Sequence, residues 1–564
     1  MQNETRPHSN TSVQACKKCG SDFILEQDDF SFYEKMGVPA PKICPDCRMK
    51  YKLLWRNERT FYKRTCDLCG KSIIAIYHPR YPSPIYCHEC HISDKWDPYS
   101  FGVEYDKNKP FLDQFKELLN RVPKAATHIG TGGNANVNSD YVNFSGGNKN
   151  CYLIFNSTMN EDSAYSRGII KSRSAYDIYF AEQIESCYEG VNLARCNKVL
   201  WSKNTTDSLN SYFLLNCSGC QNCFGCVNLR YKSYYFLNEP LSKEEWEKRV
   251  QEIIISYTKI VLFEKEFEEF SLKFPRRENN NLKTVSSLGD YVFESKNCFS
   301  CFEAFQCENC KYAFSIKLAK DSYDIVGRGI KSELLLETVA VGHGCSRVIG
   351  TWSLENSHNV EYSYDLRSSS YCIGCVGIKH GKYCILNKVY AEEEYKKIRE
   401  IIIAELRDEG IYGQYFPIEL SPWAYNETLA QENFPLTKEK ARESGFRWED
   451  EIPATKGEET ILSENILDNI GDIPDGFIKE TLACTECSRN YRLIERELKF
   501  YKKMNIPIPR KCWNCRFTDR IRRRGPYKFW KRACDKCNKE IMTNYAPDRP
   551  EIVYCESCYQ KEVY

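Results

Sequence analysis

The sequence predicts a mostly β chain with some helix: small cysteine-built modules at both ends flank a middle of parallel β-solenoid type, itself in two halves. Three observations carry this. Thirty-one of the 564 residues are cysteine. Sixteen of these stand in CxxC pairs that recur near the two ends. Residues 140–239 and 285–390 share a shorter repeat, in which a small residue and an aromatic return together about every twelve positions. Such a period suits short strands separated by turns, each burying its inward side chains on the next.

The terminal repeat is the firmer of the two. Its first copy holds Cys16, Cys19, Cys44, Cys47, Cys66, Cys69, Cys87 and Cys90. Its second holds Cys484, Cys487, Cys512, Cys515, Cys534, Cys537, Cys555 and Cys558, each 468 positions on, without a gap. Flanking text agrees: FYEKMGVPAPKICPDCR matches FYKKMNIPIPRKCWNCR, and FYKRTCDLCGK matches FWKRACDKCNK. Both copies read CxxC-x24-CxxC-x18-CxxC-x17-CxxC. Four thiolates from two such knuckles satisfy tetrahedral zinc, and the last spacing lies in the zinc-ribbon range. After Cys44, Pro45 and then Cys47, Arg48, Met49, Leu53 and Leu54 predict a helix opening at the second knuckle, as in a treble clef; its N-terminal dipole would steady the thiolates. We therefore expect four structural zinc ions, two per module. The pairs share an ion either in sequence or in an interleaved cross-brace. His88 and His91 flank Cys90, but the second copy has Glu556 and Tyr559 there, so the geometry does not need histidine.

The remaining text divides accordingly. Residues 1–15 read as a disordered tail, and 16–122 as the N-terminal double zinc module with a helix in which Phe111, Phe115, Leu118, Leu119 and Val122 keep helical spacing after Pro110. The Gly/Asn-rich THIGTGGNANVNSD reads as a loop. The first solenoid half, 140–239, carries Cys151-Tyr152, Ala164-Tyr165, Ala175-Tyr176, Cys187-Tyr188 and Cys223-Phe224. A helical insert, 240–284, opens on the capping pattern Ser242 and Glu245, with Trp246, Val250, Ile253 and Ile254 as its apolar stripe. The second half, 285–390, repeats the first: an offset of 149 maps Cys223, Cys226 and Asn238 onto Cys372, Cys375 and Asn387. A helix and acidic linker, 391–483, lead to the C-terminal double zinc module, 484–564. Within 449–480 the local charge is −8, which suits either a tether or a segment folded on its neighbours.

Cys217, Cys220, Cys223 and Cys226 form CxxCxxCxxC, superficially an iron–sulfur pattern. The slot they share with Cys151, Cys187 and Cys298 also takes Ala164 and Ala175, which favours a small buried apolar residue over metal.

The net charge of +2 hides an uneven distribution. Residues 499–532 hold thirteen Lys/Arg against Asp519 alone. Their core is Arg516, Arg520, Arg522, Arg523, Arg524, Lys528, Lys531 and Arg532, interleaved with Trp513, Phe517, Tyr527, Phe529 and Trp530. The matching stretch 31–64 is half as basic and includes Arg56, Arg59, Lys63 and Arg64 beside Trp55, Phe61 and Tyr62. Cations that neutralise phosphate and aromatics that stack on bases point to a nucleic acid, RNA or DNA. The alternative is docking to the acidic linker or to another protein. The opening MQNETRPHSNTSVQACKK lacks the apolar core of a secretory signal, and no stretch is long and apolar enough to span a bilayer. With CxxC pairs in place of a disulfide framework, this predicts a cytoplasmic setting and no membrane partner; the other reading is a secreted disulfide protein.

The phrases CPDCR followed by WRNER, YCIGCVGIKHGKYCILNKVYAEEEY and SPWAYNETLAQENFPLTKEKA resemble large uncharacterised zinc-ribbon, treble-clef proteins of candidate-phyla bacteria. The resemblance spans most of the chain and implies cysteine zinc sites around a repetitive middle. It implies no activity. CFGCVNLRYKSYYFLN matches the closing phrase more loosely.

Three functions follow as expectations. The first is a zinc-binding scaffold whose basic modules take nucleic acid. The second is a protein-assembly factor with a bivalent grip. The third is a carbohydrate-active enzyme using a solenoid groove. Asp177, Glu182, Asp324 and Glu361 lie in strand-like text, but no spacing pairs two carboxylates across a groove, and no nucleophile elbow or phosphate loop occurs.

Overall fold

The computed structural model describes residues 11–130 and 134–563. Residues 1–10 of the expected tail and 131–133 of the expected loop lie outside the described residues. The tail's last residues are not disordered: strand Ser12–Ala15 pairs antiparallel with Asp22–Leu25 and leads directly into Cys16.

The fold is mixed β and α, with cysteine clusters at both ends of the chain. It divides into two compact units, each built from two separate stretches. One joins the chain up to Ala126 with Asn279–Asp450; the other joins Thr127–Glu278 with the chain from Glu451 onward. Each terminal module thus shares a unit with the sheet farther from it in sequence.

The unit holding the C-terminal module is built on a nine-stranded sheet running from Arg167–Ile170 to Glu239–Pro240. Its strands are parallel and step by a constant twelve residues, as in Ala175↔Cys187, Asn197↔Leu209 and Gln221↔Ser233. Isolated parallel bridges carry the step back to Val137↔Lys149, so the Gly/Asn-rich joint is in register from Val137 onward, whereas Ile129 bridges to Ser145, sixteen residues on. The other unit has a twelve-stranded sheet of the same kind. Its step widens to thirteen between Ala319–Ile330, Ser332–His343 and Ser346–Glu355, and returns to twelve at His358. Each sheet ends in an antiparallel hairpin.

The backbone repeats every three residues, not every two. Lys171, Ser174, Asp177, Phe180, Gln183, Ser186 and Glu189 all have φ near +50°, and the run continues through both sheets. Left-handed backbone costs a non-glycine residue about 1–2 kcal/mol, and Asn tolerates it best. Asparagines accordingly stack twelve apart at these positions. Asn192 donates to Asn204, Asn204 to Asn216, and Asn210 to Asn222. The residue following each left-handed position points inward. Inward serines satisfy their hydroxyls on the backbone: Ser163 Oγ accepts from Ala175 N at 3.1 Å and Ser166 Oγ from Ile178 N at 3.1 Å. The expected slot is therefore corrected. Its column is Cys151, Ser163, Ala175, Cys187 at an even twelve, while Ala164 belongs to the aromatic column, bridged to Tyr152 and Tyr176.

The two closing phrases act alike. Asn238 accepts from Val227 N at 2.9 Å and donates to Val227 O at 3.0 Å; Asn387 does the same to Val376 at 2.7 and 2.8 Å. Helices follow both. In Lys243–Ile254 the Ser242 hydroxyl accepts from Glu245 N, and Trp246, Val250 and Ile254 are buried. Helix Phe111–Arg121 buries Phe111, Phe115, Leu118 and Leu119. The acidic linker is folded where it belongs to the second unit: Ile466, Ile470, Ile473 and Phe477 are buried, and Asp468 accepts from Thr258 N at 2.9 Å.

Candidate metal centres

All four cysteine groups are built from the same local parts. In the first knuckle the residue after the second cysteine turns left-handed, and its N–H returns to the first cysteine's carbonyl. Gly20 to Cys16, Gly70 to Cys66, Ser488 to Cys484 and Asn538 to Cys534 are each 2.9 Å. The second knuckle caps a helix. Cys44 precedes Pro45–Leu53, Cys87 precedes His88–Ile92, Cys512 precedes Trp513–Arg524 and Cys555 precedes Glu556–Val563.

These parts bring the sulfurs together in sequential sets: Cys16, Cys19, Cys44, Cys47; Cys66, Cys69, Cys87, Cys90; Cys484, Cys487, Cys512, Cys515; and Cys534, Cys537, Cys555, Cys558. Within each set all sulfurs lie within 4.8 Å of one another. Interleaved pairing is thereby excluded, and His88 and His91 stay outside the sets. His91 is buried and held down to about 4 by that burial. Sulfur–sulfur contacts are 3.7 Å for Cys19–Cys44, 3.9 Å for Cys69–Cys87, and 3.8 Å for both Cys487–Cys512 and Cys537–Cys555. A tetrahedron with metal–sulfur bonds of about 2.3 Å has edges of about 3.8 Å. The donor sets therefore fit a tetrahedral metal ion.

Backbone amides prepare the thiolates. Cys44 N donates to Cys16 Sγ, Cys87 N to Cys66 Sγ and Cys555 N to Cys534 Sγ, each at 3.2 Å. Burial opposes ionisation of Cys66 and Cys534, yet these amides and their neighbours hold both down at about 6. The last cysteine responds oppositely: burial and then the neighbouring sulfurs push Cys90 up to about 12. Four thiolates coexist here only around a cation.

The helix on the second knuckle also anchors the module to its sheet, and both units use the same chemistry. Arg48 and Lys52, one helical turn apart, meet Asp324 and Glu337, which lie on adjacent strands. Lys52 Nζ is 3.1 Å from Asp324 and 2.7 Å from Glu337; Arg48 is 3.0 and 3.3 Å from the same two. In the other unit Arg516 and Arg520 occupy the equivalent places. Arg516 is 3.0 Å from Asp177 and 3.2 Å from Glu497; Arg520 is 2.7 Å from Asp177 and 3.1 Å from Glu189. All four cations are buried. The signal was present in the sequence: the 468-residue offset sets Arg48 on Arg516 and Lys52 on Arg520, but apart from Glu497, 19 residues before Arg516, their partners lie hundreds of residues away.

This corrects part of the basic-surface expectation. Arg516, Arg520 and Arg524 are buried and cannot reach a phosphate; Arg524 donates to the Tyr179 hydroxyl at 3.0 Å. Arg56 is buried on Glu58 at 2.6 Å. Arg59 pairs with Glu432 at 2.6 Å and Arg523 with Glu189 at 2.5 Å. Half-buried Arg64 donates to His78 O, and Arg532 to Ala546 O. Arg522, Lys528, Lys531 and Lys63 are exposed. The acids of the enzyme expectation do not converge either. Asp177 and Asp324 hold the two anchors, Glu361 binds Arg399 at 2.6 Å and the Tyr412 hydroxyl at 2.8 Å, and Glu182 is exposed. Among the described residues no helix is long and apolar enough to cross a membrane. No protein-family model matches the chain, and no curated protein matches it.

Proposed function

We propose that the chain is a zinc-stapled scaffold. In each unit two zinc ions hold a double module of treble-clef and ribbon type, whose cationic helix clamps one half of a parallel β-solenoid. The observation that carries this is the fourfold gathering of four sulfurs within 4.8 Å of one another, with one sulfur–sulfur contact of 3.7–3.9 Å in each set. Closed sets of four cysteines are structural, since catalytic zinc keeps an open position. Zinc would neutralise the thiolates, fix the second knuckle and so hold Arg48, Lys52, Arg516 and Arg520 where they meet their carboxylates. Winding of the sheets as a solenoid is supported by the parallel step of twelve residues, thirteen in the middle of the larger sheet, which suits one turn per step. The test is metal analysis of the full chain. Four zinc ions per chain are expected, and strong chelation should release both modules to protease; a chain that stays resistant after losing its metal refutes the reading.

A second reading, binding of nucleic acid, is favoured by exposed Lys528 and Lys531 on either side of half-buried Trp530, where Lys528 lies 5.3 Å from the Trp530 ring. It requires affinity for single-stranded RNA or DNA that falls steeply with salt. Affinity unchanged by Lys528→Glu with Lys531→Glu removes it and leaves a scaffold for proteins.

A further inference from the structure

In the twelve-stranded sheet the parallel register stacks residues in columns, one residue per step. One column of left-handed residues reads Arg347, Asn359, Tyr371 and Tyr383, with φ of 51°, 53°, 53° and 56°. Their neighbours fix the alignment: Ser346 and Val348 pair with His358 and Val360, these with Ser370 and Cys372, and these with Lys382 and Cys384. The column forms one wall of a cavity of about 380 Å³, a size that suits a small ligand. Helix Glu392–Asp408 supplies the facing wall. The rings of Tyr371 and Tyr383 stack with centroids 5.2 Å apart, and Tyr371 is 40% exposed. Its other neighbour in the column is Asn359, so the ladder of rings stops there with a face open to the cavity. Asn359 is also unlike the earlier asparagines of this column. Asn297 donates to Asn309, and Asn309 to Asp321. The amide of Asn359, between an arginine and a tyrosine, bonds to no described residue. The carboxylates of the cavity are engaged. Glu361 is held by Arg399 and Tyr412, and Glu392 by Lys396 at 2.9 Å. Arg347 is exposed and has no ion pair among the described residues.

We propose that this cavity binds a purine nucleotide, with adenine as its base. The base lies at the level of Asn359 on the open face of Tyr371, and Arg347 meets the phosphate. Three features of the site select this chemistry. Both carboxylates are already paired, so the one open charge asks for an anion. A flat ring continues the tyrosine ladder, as bases do on aromatic side chains. The Asn359 amide offers a donor and an acceptor side by side, which match the adjacent amino group and ring nitrogen on an adenine edge. The spacing agrees. Strands stand about 4.8 Å apart, so Arg347 and Tyr371, two steps apart, are separated by about 9.6 Å. One planar ring needs about 3.5–4 Å on each face. The gap above Asn359 therefore takes one ring and not two, and the apolar stem of Arg347 covers the far face. A free nucleotide and one residue of a single strand present the same groups. The slot is independent of Lys528 and Lys531, which belong to the other unit.

The experiment titrates the zinc-replete full chain with adenosine 5′-monophosphate (AMP), ribose 5-phosphate and a single-stranded oligoadenylate. The variants are Tyr371→Leu, Arg347→Gln and Asn359→Gly, with Lys528→Glu plus Lys531→Glu as the control. Leucine already holds this column at Leu334, and glycine accepts the left-handed backbone of Asn359, so the fold is kept. AMP should bind the wild type and the control alike, and ribose 5-phosphate far more weakly. Loss of the Tyr371 ring should weaken AMP about tenfold or more, and loss of Arg347 should do the same. Asn359→Gly should remove the preference for AMP over uridine 5′-monophosphate. Oligoadenylate that binds no tighter than AMP assigns the slot to the free nucleotide; tighter binding that still depends on Tyr371 assigns it to a strand. No saturable binding of AMP or oligoadenylate, or affinity unchanged in all three variants, overturns the proposal. Oligoadenylate held only through Lys528 and Lys531 overturns it too, while the nucleic-acid reading stands. Photolabelling with 8-azidoadenosine 5′-monophosphate gives a readout on the wild type alone. Label on Tyr371 or Tyr383 is expected; label spread along the chain overturns the site even if a variant fails to fold.

Discussion

Replacing Lys52 by Met isolates the anchor between module and sheet. The side chain is fully buried, and its ammonium is shared by Asp324 at 3.1 Å and Glu337 at 2.7 Å, both also buried. Methionine fills similar volume but leaves Arg48 alone with two carboxylates. Removing one partner of a buried ion pair costs about 3–5 kcal/mol, because the remaining charge is uncompensated; an exposed pair would cost about 0–1 kcal/mol. The loss should therefore lie in the upper range, and it should depend on pH. Burial holds Glu337 up at about 7 from its ordinary 4.5, against the pull of Lys52. A carboxyl raised in the fold contributes its full stability below the unfolded value and loses it as pH rises through the folded value. In the wild type that loss runs from about pH 4.5 to 7. Without Lys52 the folded value climbs further, so the loss continues above 7. The deficit of the variant should be smallest near pH 5 and largest near pH 8. Urea unfolding at both pH values, with hydrogen exchange in helix Pro45–Leu53, measures it. A deficit below about 1 kcal/mol, or one equal at both pH values, would refute the buried-anchor argument.

Arg520→Met should damage the other unit in the same way, while Arg522→Met, at an exposed position, should change stability by less than about 0.5 kcal/mol; thermal unfolding of the two variants compares them. Asn387→Ala orphans the N–H and carbonyl of Val376, at about 1–3 kcal/mol for each buried group, and should raise hydrogen exchange in strand Lys382–Ile385 first. Ala175→Leu overfills an inward slot that is 0% exposed and should cost about 1–3 kcal/mol or more; a neutral result in a chemical melt would contradict the assigned column. Cys44→Ser and Cys512→Ser should each lose one zinc ion by elemental analysis and loosen only the knuckle helix that follows, as read by limited proteolysis.

The ligand sets were legible because their information is local. Eight CxxC pairs at identical spacings define knuckles whatever the rest of the chain does, and comparison of the two copies alone separated Cys87 and Cys90 from His88 and His91. Sequential pairing was not legible, since spacing permits both arrangements; hairpins such as Tyr62–Thr65 with Ser72–Ala75 decided it by folding each knuckle toward the next. The twelve-residue step was visible, but not its three-residue backbone. A left-handed residue leaves no mark when Asn, Tyr, Asp and Lys all occupy it, and so the small-residue pattern puts Ala164 one position out of its column. The basic cluster was visible as charge, but charge does not say where its partner is. Arg516 and Arg520 look like a surface for phosphate until Asp177 and Glu189, more than three hundred residues earlier, are folded against them. Local covalent spacing determined the four cysteine sets of this protein; which cations are surface and which are mortar was decided only when distant carboxylates were buried beside them, because an ion pair between remote segments exists in the tertiary structure alone.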